Sequence, residues 1–220
     1  MKTKLLIALT LVFFFQGLKS QESESNSDYF KTKFEGIDLG FSQMVDGSRS
    51  DDLQAIKSLY WGFNVYSMYL PISSDNLGLE IGAGGFIQSI TFSNRRILHE
   101  REGVSPGDYE KMKYKNLGFH VPVLLTTNFK ANNVKAFVQA GIMTRYNVYS
   151  MYKEKFENAD GDIVKEKFNG QDYGVNDFNA DLYVKLGTQN WAIFAQYGLG
   201  NYFDYSDANI FTFGFSFGID

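Results

Sequence analysis

Six ionisable side chains, Asp38, Glu80, His120, Arg145, Asp181 and Lys185, lie on segments whose hydrophobicity alternates residue by residue, and each takes the polar parity of its segment. Three carboxylates, a guanidinium, an ammonium and an imidazole on one face could do one of three things. They could shuttle protons as a catalytic nest, line a permeation path, or neutralise one another as a structural network. Charges in a confined interior are costly unless paired, and narrow barrels fill their bores with side chains, so a structural polar network is expected. A hydrolytic site would need a nucleophile held beside a base. Of the two histidines, His99 stands in a charged stretch and His120 is followed by Val121-Pro122, with no serine beside it. No catalytic residue is assigned, and the chain is read as non-enzymatic.

Three further groupings could carry chemistry. Asn158, Asp160 and Asp162 alternate like cation ligands but lack the terminal bidentate Glu of a twelve-residue calcium loop, so they read as a turn. Gly82-Ala83-Gly84-Gly85 leads into Phe86-Ile87 and not into a helix start, which argues against a phosphate cradle. Arg95, Arg96 and Arg101 could contact lipopolysaccharide phosphates through paired hydrogen bonds, although the acids interleaved with them, Glu100, Glu102, Asp108 and Glu110, favour a solvated loop. With no cysteine anywhere, thiolate metal sites, disulfides and a lipid anchor are excluded. Neither a cofactor nor a metal is expected.

What must position these residues is a set of strands. Eight segments alternate, over residues 34–45, 59–70, 77–92, 116–128, 135–150, 175–188, 191–201 and 209–219. One parity is apolar and aromatic, as in Leu59, Trp61, Phe63 and Val65, in Leu182, Val184 and Leu186, and in the terminal Phe211, Phe213, Phe215 and Phe217. The other holds Gly, Ser, Asn, Gln and the six ionisable residues. A water-soluble barrel buries its apolar face and shows charge outside; here the small polar face suits a narrow bore and the larger apolar face suits lipid. Segments of about ten residues match strands crossing a bilayer obliquely. The expected fold is all-β, an eight-stranded antiparallel up-and-down transmembrane β-barrel. Gly84-Gly85 leaves the register open there, because Phe86 and Ile87 cannot both face lipid without a bulge. Tyr60, Trp61 and Tyr146 are expected in one aromatic girdle, Tyr69 and Trp191 in the other.

Residues 1–20 read as a signal peptide, with Lys2 and Lys4 before an apolar run and a cut after Ser20. Residues 21–33 read as a polar periplasmic tether and 34–220 as the barrel domain. Cleavage removes three lysines and no acid, leaving 18 basic and 25 acidic groups, a net charge of 18 − 25 = −7; nucleic acid is not an expected partner. Short connections alternate with long ones, which places both termini in the periplasm of a Gram-negative envelope and the long connections outside. Residues 152–156 and 163–168 flank Asp160-Gly161 and are expected to extend the fifth and sixth strands as a hairpin above the membrane.

The stretch Leu77-Gly78-Leu79-Glu80-Ile81-Gly82-Ala83-Gly84-Gly85-Phe86 and the ending Phe213-Gly214-Phe215-Ser216-Phe217-Gly218 resemble the PorT-like outer-membrane β-barrel family, small eight-stranded barrels of the OmpA/OmpX kind. The resemblance implies an integral outer-membrane protein and, through the family's namesake, a link to type IX secretion; it carries over no catalytic residue. Expected partners are outer-membrane lipid and lipopolysaccharide, the barrel-assembly machinery, and a secretion system or other envelope proteins. The leading expectation is a structural or partner-binding barrel. The alternatives are a narrow porin-like conduit for small solutes and a lipid-modifying enzyme.

Overall fold

Strict period-two alternation favours the strand over the helix, and the computed structural model has nine strands among its described residues. Those residues are 36–45, 57–74, 76–92, 109–131, 134–158, 160–169, 174–188, 190–203 and 207–218. The expected leader and tether, His99, the Arg95, Arg96 and Arg101 cluster and the terminal Ile219-Asp220 lie outside them. The strands are β1 (Gly36–Val45), β2 (Leu59–Ser74), β3 (Leu77–Phe92), β4 (Tyr109–Ala131), β5 (Val134–Glu157), β6 (Ile163–Asn169), β7 (Phe178–Thr188), β8 (Trp191–Gly198) and β9 (Asn209–Gly218).

Eight of them form a closed antiparallel ring. Order runs β1-β2-β3-β4-β5-β7-β8-β9, and β9 returns to β1 over ten residue pairs, from Gly36–Gly218 to Val45–Asn209. The ninth, β6, stands outside the ring. It pairs with Met151–Glu157 of β5, whereas β7 pairs with the same strand over Ala136–Tyr146. The expected hairpin is therefore present, and its turn has the expected chemistry: Asn158 Oδ1 accepts the amides of Asp160 and Asp162 at 3.1 and 2.8 Å, with Gly161 at φ +83°.

The two parities point as their chemistry requires. Val65, Phe178 and Phe215 are 68%, 63% and 55% exposed, values that no apolar core would show, so the apolar face looks outward. The interior holds two apolar tiers as well as polar groups. Tyr60, Phe86, Leu124, Met143, Tyr183 and Phe194 pack at mid-bore. A second cluster, including Ile90, Phe92, Tyr114, Tyr152, Phe156 and Phe203, fills the end that carries the long connections. Two girdle expectations are thereby corrected. Tyr60 is 0% exposed and stacks on Phe86 in the bore, and Tyr69 turns its ring over Gly78, on the inward parity. Both occupy the parity of their glycine neighbours, and an inner tier needs bulk where glycines leave room.

The register through Gly84-Gly85 is continuous, with Gly84 opposite His120 and Gly85 opposite Phe119. The irregularity lies across the ladder, at Val65 of β2, between the pairs Asn64–Gly84 and Tyr66–Ala83. Phe86 therefore faces the bore and Ile87 does not. A second bulge, at Val148, lies between the pairs Leu117–Tyr149 and Gly118–Asn147 and reverses the parity of β5 above it.

Gly84 makes space for the imidazole, since a Cβ there would collide with the Phe63 carbonyl oxygen and His120 Nε2. Gly84→Ala should lower unfolding stability by about 1–3 kcal/mol, the usual cost of overpacking. Gly200→Ala, where a Cβ meets nothing within 4 Å, should change it little. Heat-dependent electrophoretic mobility of detergent-refolded protein reads both; equal midpoints would remove the steric role of Gly84.

Candidate functional site

Cross-strand registration brings the six ionisable residues into one bore from five different strands. Asp38 comes from β1, Glu80 from β3, His120 from β4, Arg145 from β5, and Asp181 and Lys185 from β7. Five of them sit between apolar neighbours that face outward, and Arg145 sits between Thr144 and Tyr146, so the pleat turns each inward. None is more than 4% exposed.

The tightest element is a forked ion pair. Arg145 Nε lies 2.5 Å from Asp181 Oδ2, and Arg145 Nη2 donates to Asp181 Oδ1 at 2.9 Å. The remaining guanidinium edge donates from Nη1 to Gln88 Oε1 at 2.9 Å, and the Phe86 ring centre is 5.5 Å from the guanidinium carbon. Gln88 passes the connection on: its Nε2 donates to Ser42 Oγ at 3.0 Å, and Ser42 Oγ is 2.9 Å from Thr212 Oγ1. Tyr202, from the β8–β9 connection, donates to Gln88 Oε1 at 3.2 Å and accepts from Asn116 Nδ2. Burial pushes the Tyr202 phenol up to about 12, so it remains a neutral donor at any physiological pH.

A second set runs beside it. Asp38 Oδ2 accepts from Asn64 Nδ2 at 3.0 Å and from the Tyr183 hydroxyl at 3.4 Å, and Lys185 Nζ stands 3.5 Å from Asp38 Oδ1. Asn64 Oδ1 is 2.8 Å from His120 Nε2. An amide oxygen only accepts, so Nε2 carries the proton, and the other ring nitrogen faces the Tyr60 hydroxyl at 3.5 Å. The imidazole also stacks on Phe86, with ring centres 6.3 Å apart and planes 12° from parallel. Glu80 belongs to a third group, accepting from Thr126 Oγ1 at 3.2 Å and Gln139 Nε2 at 2.6 Å.

The residues singled out by parity thus share the bore but divide into three sets. The side chains that join strand to strand include several not foreseen: Gln88, Asn116, Tyr183 and Tyr202. Gln88 was readable, because the inward parity of Gly78, Glu80 and Gly82 continues unbroken to it. Tyr202 lies outside the alternating pattern, and only the fold brings it to Gln88. Chemically this arrangement is suited to clamping β1, β2, β3, β4, β5, β7 and β9 to one another across the bore.

The chain has matches among known families and among solved structures. The family model described as outer membrane protein beta-barrel domain matches residues 20–218 of the chain. Among solved structures, the crystal structure of Ail, the attachment invasion locus protein of Yersinia pestis, matches at 13% identity and a TM-score of 0.32, over 84% of this chain and 99% of that one. No curated protein matches.

Removing one partner of a buried ion pair leaves the other charge uncompensated, at a cost of about 3–5 kcal/mol. Asp181→Ala should lose that much in urea unfolding of the micelle-bound protein. The double change Arg145→Met with Asp181→Leu should lose clearly less than the two single changes added together. Additive losses would show that the two side chains do not act as a pair.

Proposed function

The chain belongs to the outer membrane protein beta-barrel domain family, and from that premise we propose that it is a plugged, non-enzymatic barrel whose extended end engages other components of the cell envelope. The observation that carries this reading is the filled bore. Ion pairs and hydrogen bonds cross it at mid-height, and apolar side chains close the end with the long connections. A conduit needs a continuous aqueous path, and a binding barrel does not.

The strand lengths support the direction of engagement. A bilayer needs about 9–11 residues of tilted strand, and β1, β7 and β9 have 10, 11 and 10. β4 and β5 have 23 and 24, so each continues for eight residues beyond the outward-facing pair Leu117–Tyr149, about 27 Å of strand. In the proposed orientation that projection and the β6 hairpin stand outside the cell, with both chain ends in the periplasm. The resemblance to PorT-like barrels makes a type IX secretion system the first partner to test. Lipopolysaccharide and the barrel-assembly machinery are the other envelope contacts of this reading.

Two measurements test it. The chain contains no cysteine, so Asp160→Cys at the hairpin turn provides a unique reporter. A membrane-impermeant maleimide should label it on intact cells; labelling only after permeabilisation would reverse the orientation. In planar bilayers the purified protein should give no stable unit conductance, and a reproducible step would replace the plugged barrel with a pore. Deleting the gene and assaying secreted cargo then decides whether secretion is the process served.

A further inference from the structure

The sheet that projects beyond the bilayer ends at β6. In the strand order β6 has β5 on one side and, among the described residues, no strand on the other. Its whole length pairs with β5, from Asn169 opposite Met151 to Ile163 opposite Glu157. At about 3.4 Å per residue, that ladder runs from about 7 to about 27 Å along β5 beyond Tyr149, the last outward-facing aromatic residue of the strand. The headgroup zone is only about 5–8 Å deep. Most of the edge therefore lies past the lipid, where other chains have access to it. A sheet edge offers a row of backbone donors and acceptors, which an extended chain can answer and a lipid tail cannot.

The two parities of β6 differ in what they accept from a neighbour. Val164 and Phe168 are half-buried and pack against the apolar cluster that fills this end of the bore, with Glu166 between them. Ile163, Lys165, Lys167 and Asn169 take the exposed parity. There Lys165 stands opposite Lys155, and Lys167 opposite Lys153. Like charges directly opposite one another on a sheet are destabilising and opposite charges stabilising. A strand added on the far side of β6 is therefore favoured when it sets Asp or Glu beside Lys165 and Lys167, and apolar side chains beside Val164 and Phe168, where they extend the plug. A second copy of β6 meets neither condition. Antiparallel self-pairing over the whole strand would set Lys165 opposite Lys167 twice and Glu166 opposite its own copy. Lysines also protect exposed edges from indiscriminate pairing; here they discriminate against cationic strands and in favour of acidic ones.

We propose that the far edge of β6 is a docking site for an extended, acidic segment of another envelope protein, which joins the sheet as a further strand with Asp or Glu at alternate positions. Main-chain hydrogen bonds supply the affinity in such a contact, and the alternate side chains supply the specificity. The site deepens the envelope engagement proposed above and rests on that reading for the compartment of the partner.

The test uses the full chain in phosphatidylcholine nanodiscs and three fluorescent peptides as long as β6. One alternates glutamate with valine, one alternates lysine with valine, and one is the glutamate peptide N-methylated along its backbone. Only the first should bind, read by anisotropy, and it should slow amide hydrogen exchange over Ile163–Asn169 several-fold while leaving the β7–β8 turn unchanged. The Lys165→Glu, Lys167→Glu variant should reverse the choice and take the lysine peptide. Both positions are exposed and the new carboxylates face Lys155 and Lys153, so the hairpin is retained. Failure of the native chain to bind the glutamate peptide overturns the proposal. Equal binding of the N-methylated peptide also overturns it, in favour of contact by charge alone, as does a variant that still prefers glutamate. Exchange protection that grows with protein concentration in the absence of peptide gives the edge to a second copy and overturns it too. Discs expose both rims, so peptide binding is independent of the Asp160→Cys labelling; a reversed orientation there would change the partner's compartment and leave the binding intact.

Discussion

In hydrocarbon no water is available to backbone amides and carbonyls, and each left unpaired costs several kcal/mol. A sheet at that depth must therefore close, and the β1–β9 ladder, with ten residue pairs, closes this one. Closure with eight strands fixes a bore only wide enough for side chains. Other features follow from that narrowness. Gly84 is needed where His120 crosses, and Gly214 faces Leu39 and Gly40 so closely that no Cβ fits. The bulge at Val65 takes up the one residue by which β2 and β3 would otherwise fall out of step.

The outward face contributes little to choosing between one ring and another, because lipid tails solvate leucine as well as a neighbouring leucine does. Specificity has to come from within. The Asp38–Lys185 pair and the Gln88 hub join strands that are not neighbours in the ladder, and the forked Arg145–Asp181 pair ties the neighbours β5 and β7 together through their side chains. Buried ion pairs are often no better for stability than apolar packing. Here they are interleaved with it, His120 and Arg145 both lying against Phe86, so the polar groups are supported on rings as well as by each other.

Most of the ring was legible in the sequence, since period-two alternation marks both the strand and the side each residue faces. The boundaries of β3 coincide with those read from alternation, 77–92. Three things were not legible. A tyrosine that suits an interface and one that suits an inner tier look alike in sequence: the even parity of Tyr60 separates the two, whereas Tyr69 shares the odd parity of Trp61 and Phe63 and is turned inward only by the bulge at Val65. The lengths of β4 and β5 exceeded the alternating segments because above the membrane the outward face turns from apolar to charged, and the hydrophobic contrast that marks the strand fades. Tyr202 reaches Gln88 from an irregular connection that has no period to read. As for the six ionisable residues, parity placed them in one bore, but which pairs with which depends on angular position around the ring, a quantity set by register and invisible in any single strand.

β5 links the two halves of the molecule. Below Val148 its odd residues face the bore, giving Gln139, Met143, Arg145 and Asn147 to the clamps and the mid-bore packing. The bulge at Val148 shifts the phase, and above it the even residues Tyr152, Glu154 and Phe156 turn inward. Without that one extra residue, Lys153 and Lys155 would point into the apolar plug, while Tyr152 and Phe156 would point out. The same bulge therefore completes the plug, where Tyr152 packs on Tyr114 and Phe168 with ring centres 4.9 and 6.2 Å apart, and presents the lysines outward. Above the bulge β5 also exchanges β7 for β6 as its neighbour. A strand that had simply continued its membrane phase could have supplied neither an apolar interior nor a cationic exterior at that height, so the bulge sets both faces of the projecting end.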